Sequence, residues 1–177
     1  MLGSAFLVLA AAMVGAQPVE PNVPKEAIAS LGYYVGEWRG TWTEDGVACV
    51  SEFTTRWVRG KYCTILTGAI RTPKGISQTT LLSGWEALNK EIVDFSYSSD
   101  GSHSIERWKI MSPTLEIAKS TGVSADGQAT SSTCRIEKNG QDRFTQKITD
   151  RKEGNQTKPD IVIEYVKSAK TASPAKK

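Results

Sequence analysis

Histidine is nearly missing from this chain. His103 is the one imidazole in 177 residues, and only three cysteines, Cys49, Cys63 and Cys134, accompany it. Zinc modules and cysteine-held clusters need more Cys and His than that. Charge of one sign is lacking too, since 22 Lys and Arg stand against 19 Asp and Glu for a net +3. That balance excludes a strongly basic nucleic-acid binder and an acidic disordered chain. No apolar run reaches the ~20 residues that a membrane-spanning helix requires. Beyond Tyr34 no segment keeps a helical period for three turns, so alternating strand–helix units are not expected. What is left is one ordinary domain with a single core.

Both ends stand apart from that domain. Residues 1–16, MLGSAFLVLAAAMVGA, carry no charge and are apolar from Ala5 to Val14. Val14-Gly15-Ala16 offers the small side chains that a signal peptidase accepts ahead of Gln17-Pro18. The expectation is a signal peptide and an exported protein, periplasmic or extracellular. The pattern is incomplete, because no Lys or Arg precedes the apolar run. Residues 17–24 hold three prolines and read as an extended linker. Lys167–Lys177 carries four lysines and no acid, so the basic pI of 8.7 belongs to the tail. Residues 169–177 are read as a disordered, solvated basic tail, which leaves 25–168 as the folded domain.

Within it, Lys25–Tyr34 suits one short helix, with Pro24 placed to begin it. Turn signals then recur every eight to twelve residues: Glu44-Asp45-Gly46, Arg59-Gly60, Pro73-Lys74-Gly75, Leu88-Asn89-Lys90, Asp100-Gly101, Ser112-Pro113, Ala125-Asp126-Gly127, Asn139-Gly140 and Gly154-Asn155. Nine turns imply ten strands. Consecutive hairpins fold most simply as a meander, and a meander of eight to ten strands removes its open edges by closing on itself. Alternation assigns the faces. Trp38, Gly40 and Trp42 share one side of the first strand, and Cys49, Phe53 and Trp57 one side of the second. Val93, Phe95 and Tyr97 form an apolar side further on, followed by Cys134 with Ile136, Phe144 with Ile148, and Ile161, Ile163 and Tyr165. The expected fold is an all-β, antiparallel up-and-down barrel of eight to ten strands with one short N-terminal helix.

A short helix leading into Gly36-Glu37-Trp38 resembles the G-x-W opening of lipocalins and their calycin relatives. Over Leu31–Ser168 the chain is similar to an uncharacterised lipocalin-like domain family of bacterial, often exported, proteins, frequently found after a SnoaL-like domain. The matching words are LGYYVGEWRGTW, GWEALNKEIVDFSYSSDG, TGVSADGQATSSTCRI and PDIVIEYVK. The resemblance implies a barrel plugged at one end by the helix. It brings no catalytic residues, and the SnoaL-like part of the fused pattern is not in this sequence.

The candidate site is the barrel interior, with Trp38, Trp42, Trp57, Trp85, Phe95, Tyr97 and Phe144 as its aromatic wall and Ser51, Thr55 and Gln146 as scattered polar groups. Two readings stand. The rings either fill the core or surround a cavity for one small hydrophobic or flat ligand. The glycines at 36 and 40 and the inner Ser and Thr residues are taken to leave room. His103 follows the Asp100-Gly101 turn and reads as a surface residue. Haem-binding nitrobindins place their histidine near the last strands, where this chain has IVIEYVK. No cofactor and no metal site are expected.

Pairing the second and third strands through a tight Arg59-Gly60 turn puts Cys49 opposite Ile70 or Ala69, about 20 Å along the ladder from Cys63. A disulfide between them is therefore excluded. The cysteines read as small buried hydrophobes. The carboxylates Glu86, Glu91, Asp94, Asp100 and Glu106 read as outer-face charges, so no acid–base pair is expected inside. A non-catalytic binder follows, with an envelope interaction or scaffold module as the alternative if the barrel is filled.

Overall fold

The computed structural model describes residues 22–44 and 46–168. The expected signal peptide and most of the expected linker, together with Asp45 and residues 169–177, lie outside the described residues. One helix, α1 (Lys25–Tyr33), precedes the strands β1 (Gly36–Glu44), β2 (Val47–Trp57), β3 (Cys63–Thr72), β4 (Gly75–Glu86), β5 (Glu91–Ser98) and β6 (His103–Ser112). β7 (Leu115–Val123), β8 (Ala129–Lys138), β9 (Arg143–Glu153), β10 (Gln156–Thr157) and β11 (Ile161–Lys167) follow. Neighbours from β1 to β9 pair antiparallel in chain order, and β11 lies between β9 and β1. That pairing closes a ten-strand up-and-down barrel. β10 and β11 face β9 in one continuous register and are two parts of one returning strand, interrupted at Lys158-Pro159-Asp160. Proline has no N–H to give a ladder, which accounts for the break.

Every turn named in the sequence falls between two strands. The β2–β3 connection is longer than a tight turn, with Gly60 and Lys61 both at positive φ and Lys61 N–H donating to Val58 O at 3.0 Å. The register therefore shifts, and Ser51 rather than Cys49 faces Ile70. The conclusion drawn from that register survives: Cys49 and Cys63 lie toward opposite ends of the ladder, and all three cysteines are free.

Alternation sorts the inner faces. Trp38, Cys49, Cys134, Ile136, Phe144, Ile161, Ile163 and Tyr165 are buried, and Trp42 and Ile148 pack against them. Here large side chains fill the barrel. Tyr165 stacks on Phe144 at 4.5 Å between centroids, and Phe144 meets Trp38 edge-on at 4.9 Å. The glycine gap at 40 is no void. A Cβ there would stand 2.3 Å from the Tyr165 ring, so Gly40 exists to let that ring lie on the sheet.

One strand contradicts the sequence reading. On β5 the inward residues are Ile92, Asp94, Ser96 and Ser98, while Phe95 and Tyr97 point outward, 47% and 70% exposed. Pairing decides this. Leu82, Phe95 and Ile105 face one another across β4, β5 and β6, and Ser83, Asp94 and Glu106 do so on the opposite side. A one-residue change of parity reverses the whole strand. Apolarity marks the inside only where the inside is packed, and here it is not.

Candidate functional site

The interior opposite the packed wall is hollow. A cavity of about 770 Å³ runs from α1 toward the turns at the other end of the barrel. Its apolar lining includes Phe53, Leu66, Leu81, Ile92, Trp108 and Phe144. Hydroxyls make up much of the rest, among them Ser51, Thr55, Thr64, Thr79, Ser96 and Ser104. The hydroxyls settle many of their own bonds across strands. Ser96 Oγ meets Ser104 Oγ at 2.7 Å, and Thr79 Oγ1 meets Ser98 Oγ at 2.9 Å. Short polar side chains on β2 to β6 are what leave the volume.

One end is plugged. Glu116 on β7 is buried and takes hydrogen bonds from Ser30 Oγ and from Tyr34 OH, the latter at 2.8 Å, while Lys138 on β8 forms its ion pair. The Lys138 ammonium also sits 4.9 Å from the centre of the Tyr33 ring. Tyr33 OH reaches Arg143 O at 2.6 Å, and Trp38 Nε1 donates to Tyr34 O at 2.8 Å. The helix is thus latched by a buried charge pair. Burial, reinforced by Glu116, holds the Tyr34 phenol well above its ordinary pKa. At the open end Lys74, Asp100, His103, Asp126 and Glu153 surround the mouth. His103 stacks on Tyr97 at 5.8 Å there, a shoulder position as expected.

Between plug and mouth sit two carboxyls that the sequence reading placed outside. Asp94 and Glu106 are direct cross-strand partners on the cavity wall, flanked by Ser83 on β4 and Ser120 on β7. Trp108 Nε1 donates to Asp94 Oδ2 at 3.0 Å, while Asp94 Oδ1 is buried with no partner. Burial pushes the Asp94 carboxyl up to about 7, with the neighbouring Ser83 hydroxyl and the Trp108 N–H opposing the rise. Burial, with the Asp94 charge beside it, pushes Glu106 up to about 8. Two like groups in one dry place cannot both ionise cheaply. Asp100 is exposed on its turn at the cavity rim, not on the outer face, and hydrogen bonds from Ser102 lower its pKa. Glu91 is an outer partner of Arg107 at 2.6 Å.

Of the seven rings named from sequence, Phe144 lines the cavity. Trp38 is buried in the packed wall, and Trp42, Trp57 and Trp85 pack against the core. Phe95 and Tyr97 are outside. Ser51, Thr55 and Gln146 do line the cavity. Phe53 and Tyr165, on expected inner faces, line the cavity too, whereas Asp94, Glu106 and Trp108 are additions that the alternation alone does not reveal. The signal was present in β6: with Trp108 inward, the Asp100-Gly101 hairpin brings Ile92 opposite it, and Asp94 must then face in as well. Burial raises the Cys134 thiol to about 12, in keeping with a small packed hydrophobe. Among the described residues no three His, Cys, Asp or Glu side chains gather as a metal-binding group. No helix there is long and apolar enough to cross a membrane.

No protein-family model matches this chain, and no curated protein does. Among solved structures it is similar to EF1p2_mFAP2b bound to DFHBI, at 11% identity and a TM-score of 0.44. That match covers 81% of this chain and 99% of the other.

Proposed function

We propose that this protein is an exported, non-catalytic carrier that binds one small apolar or flat molecule inside its barrel. The observation that supports it is the cavity of about 770 Å³, walled by Phe53, Leu66, Leu81, Trp108 and Phe144, plugged at one end and open at the other. A volume of that order is what small-ligand sites offer, and a barrel built only for stability would be filled. The signal-like first sixteen residues support export. Native mass spectrometry of protein purified from its host tests it. A stoichiometric small-molecule adduct, lost on unfolding, is the expected result. An adduct-free protein that also takes up no apolar or flat aromatic probe overturns the reading.

One observation favours the alternative, an interaction module. Ile65, Leu82, Phe95 and Ile105 line up on the outer face of β3 to β6, with Leu82 46% exposed. If Phe95→Ser changes partner capture while the cavity stays empty, that second reading replaces the first.

A further inference from the structure

Resting on the carrier reading, we infer that the ligand carries a basic nitrogen, and that Asp94 and Glu106 receive its ammonium or amidinium group on the cavity wall. The pair is placed for this by the sheet itself, since the two residues are register partners on adjacent strands and both line the cavity. Among the described residues neither carboxyl belongs to an ion pair. The cations near the barrel wall are engaged elsewhere, Lys138 by Glu116 and Arg107 by Glu91. Asp94 Oδ1 is a buried acceptor without a donor, a state that proteins rarely keep unless something else supplies the hydrogen bond. An ammonium brings three donors and a positive charge to two acceptors that repel each other.

The rest of the cavity agrees. Its apolar members, Leu66, Leu81, Phe53 and Tyr165, suit a flat or aliphatic body attached to that nitrogen. An anionic head group is disfavoured. A carboxylate would set a further like charge beside a pair that already resists ionising, and Lys74, the lysine lining the cavity, stands away at the mouth.

Proton occupancy makes the site sensitive to pH. The groups facing the pair are Ser83 on β4, Trp108 on β6, Glu116 and Ser120 on β7, Cys134 on β8, Tyr165 on β11 and Tyr34 on α1. Tyr34, Tyr165 and Cys134 all have raised pKa values and stay neutral near pH 7, and Glu116 is tied to Lys138. Asp94 and Glu106 are therefore the groups here that change charge around neutrality. Below about pH 6 both hold protons and an arriving cation must displace one; toward pH 8 the cation meets a carboxylate already formed.

The test uses three isosteric probes, 2-naphthylmethylamine, 2-naphthalenemethanol and 2-naphthoate, titrated calorimetrically into the barrel at pH 6 and pH 8. The amine is expected to bind at least about tenfold more tightly than the alcohol at pH 8, with the naphthoate weakest. Its advantage is expected to shrink by about tenfold at pH 6. Glu106→Gln and Asp94→Asn should each shrink the gap between amine and alcohol. Alcohol binding with no amine preference, or naphthoate binding as well as amine, overturns the inference and leaves the carrier reading standing. If none of the three binds, both fall. Should either variant fold poorly, the comparison of the three probes on the unaltered protein still decides.

Discussion

The two halves of the barrel are built from the same backbone geometry and opposite side chains. On β8, β9, β11 and β1 the inward residues are mostly large and apolar, among them Cys134, Ile136, Phe144, Ile148, Ile161, Ile163, Tyr165, Trp38 and Trp42, with rings packed on one another. On β3 to β6 they include Thr64, Thr79, Ser83, Ser96 and Ser104, together with Asp94 and Glu106. One half holds the barrel together. The other leaves it hollow. A closed ladder satisfies backbone hydrogen bonds on both sides, so the hollow half can spend its inward face on polar groups without opening an edge.

Truncating the packed half should give the largest effects. Trp38→Ala removes a side chain that is 1% exposed and should cost about 3–5 kcal/mol, read as a fall in urea midpoint. An equal loss from Thr64→Ala would erase the distinction between the halves; about 1 kcal/mol or less is expected there. The latch is a comparable weak point. Glu116→Ala strands the Lys138 ammonium beneath the helix and should cost about 3–5 kcal/mol, with exchange of the α1 amides rising first.

The hollow half should instead reveal itself through pH. Folded, burial holds Asp94 at about 7 and Glu106 at about 8, whereas unfolded both return to the ordinary carboxylate range. The folded chain then binds more protons than the unfolded one between those limits. Their contribution is complete below the unfolded pKa and drains away as pH rises through the folded values. Urea midpoints should therefore fall from about pH 5 to about pH 8. Glu106→Gln should flatten the slope and raise the urea midpoint at pH 8. A slope unchanged by both Glu106→Gln and Asp94→Asn would mean that the pair is hydrated and charged throughout. The smallest effect belongs outside, where Phe95→Ser should change stability by about 0.5 kcal/mol or less.

Much of this architecture is legible in the chain. Glycine, asparagine and proline mark the turns because few other residues take those backbone angles, and nine such places give ten strands directly. Trp38, Phe144 and Tyr165 announce an inner face because they alternate with charge and lie in a packed wall. Phe95 and Tyr97 mislead for the same reason inverted. Beside a cavity the inner face is polar and the outer face carries the rings, so the alternation of β5 persists while its meaning reverses. Asp94 and Glu106 were hidden by that reversal. Recovering them takes register from a neighbour, and Trp108 two residues beyond Glu106 supplies it.

Pairing β1 with β11 brings the two ends of the described chain together. Ser168 N–H donates to Glu37 O, and Lys167 lies over the Trp38 ring beside the helix. Both ends thus depart from the plugged side, and the rim with Lys74, Asp126 and Glu153 is at the far side. A support joined directly at Asn22 or at Ser168 would hold this barrel like a cup by its base, with the entrance facing away.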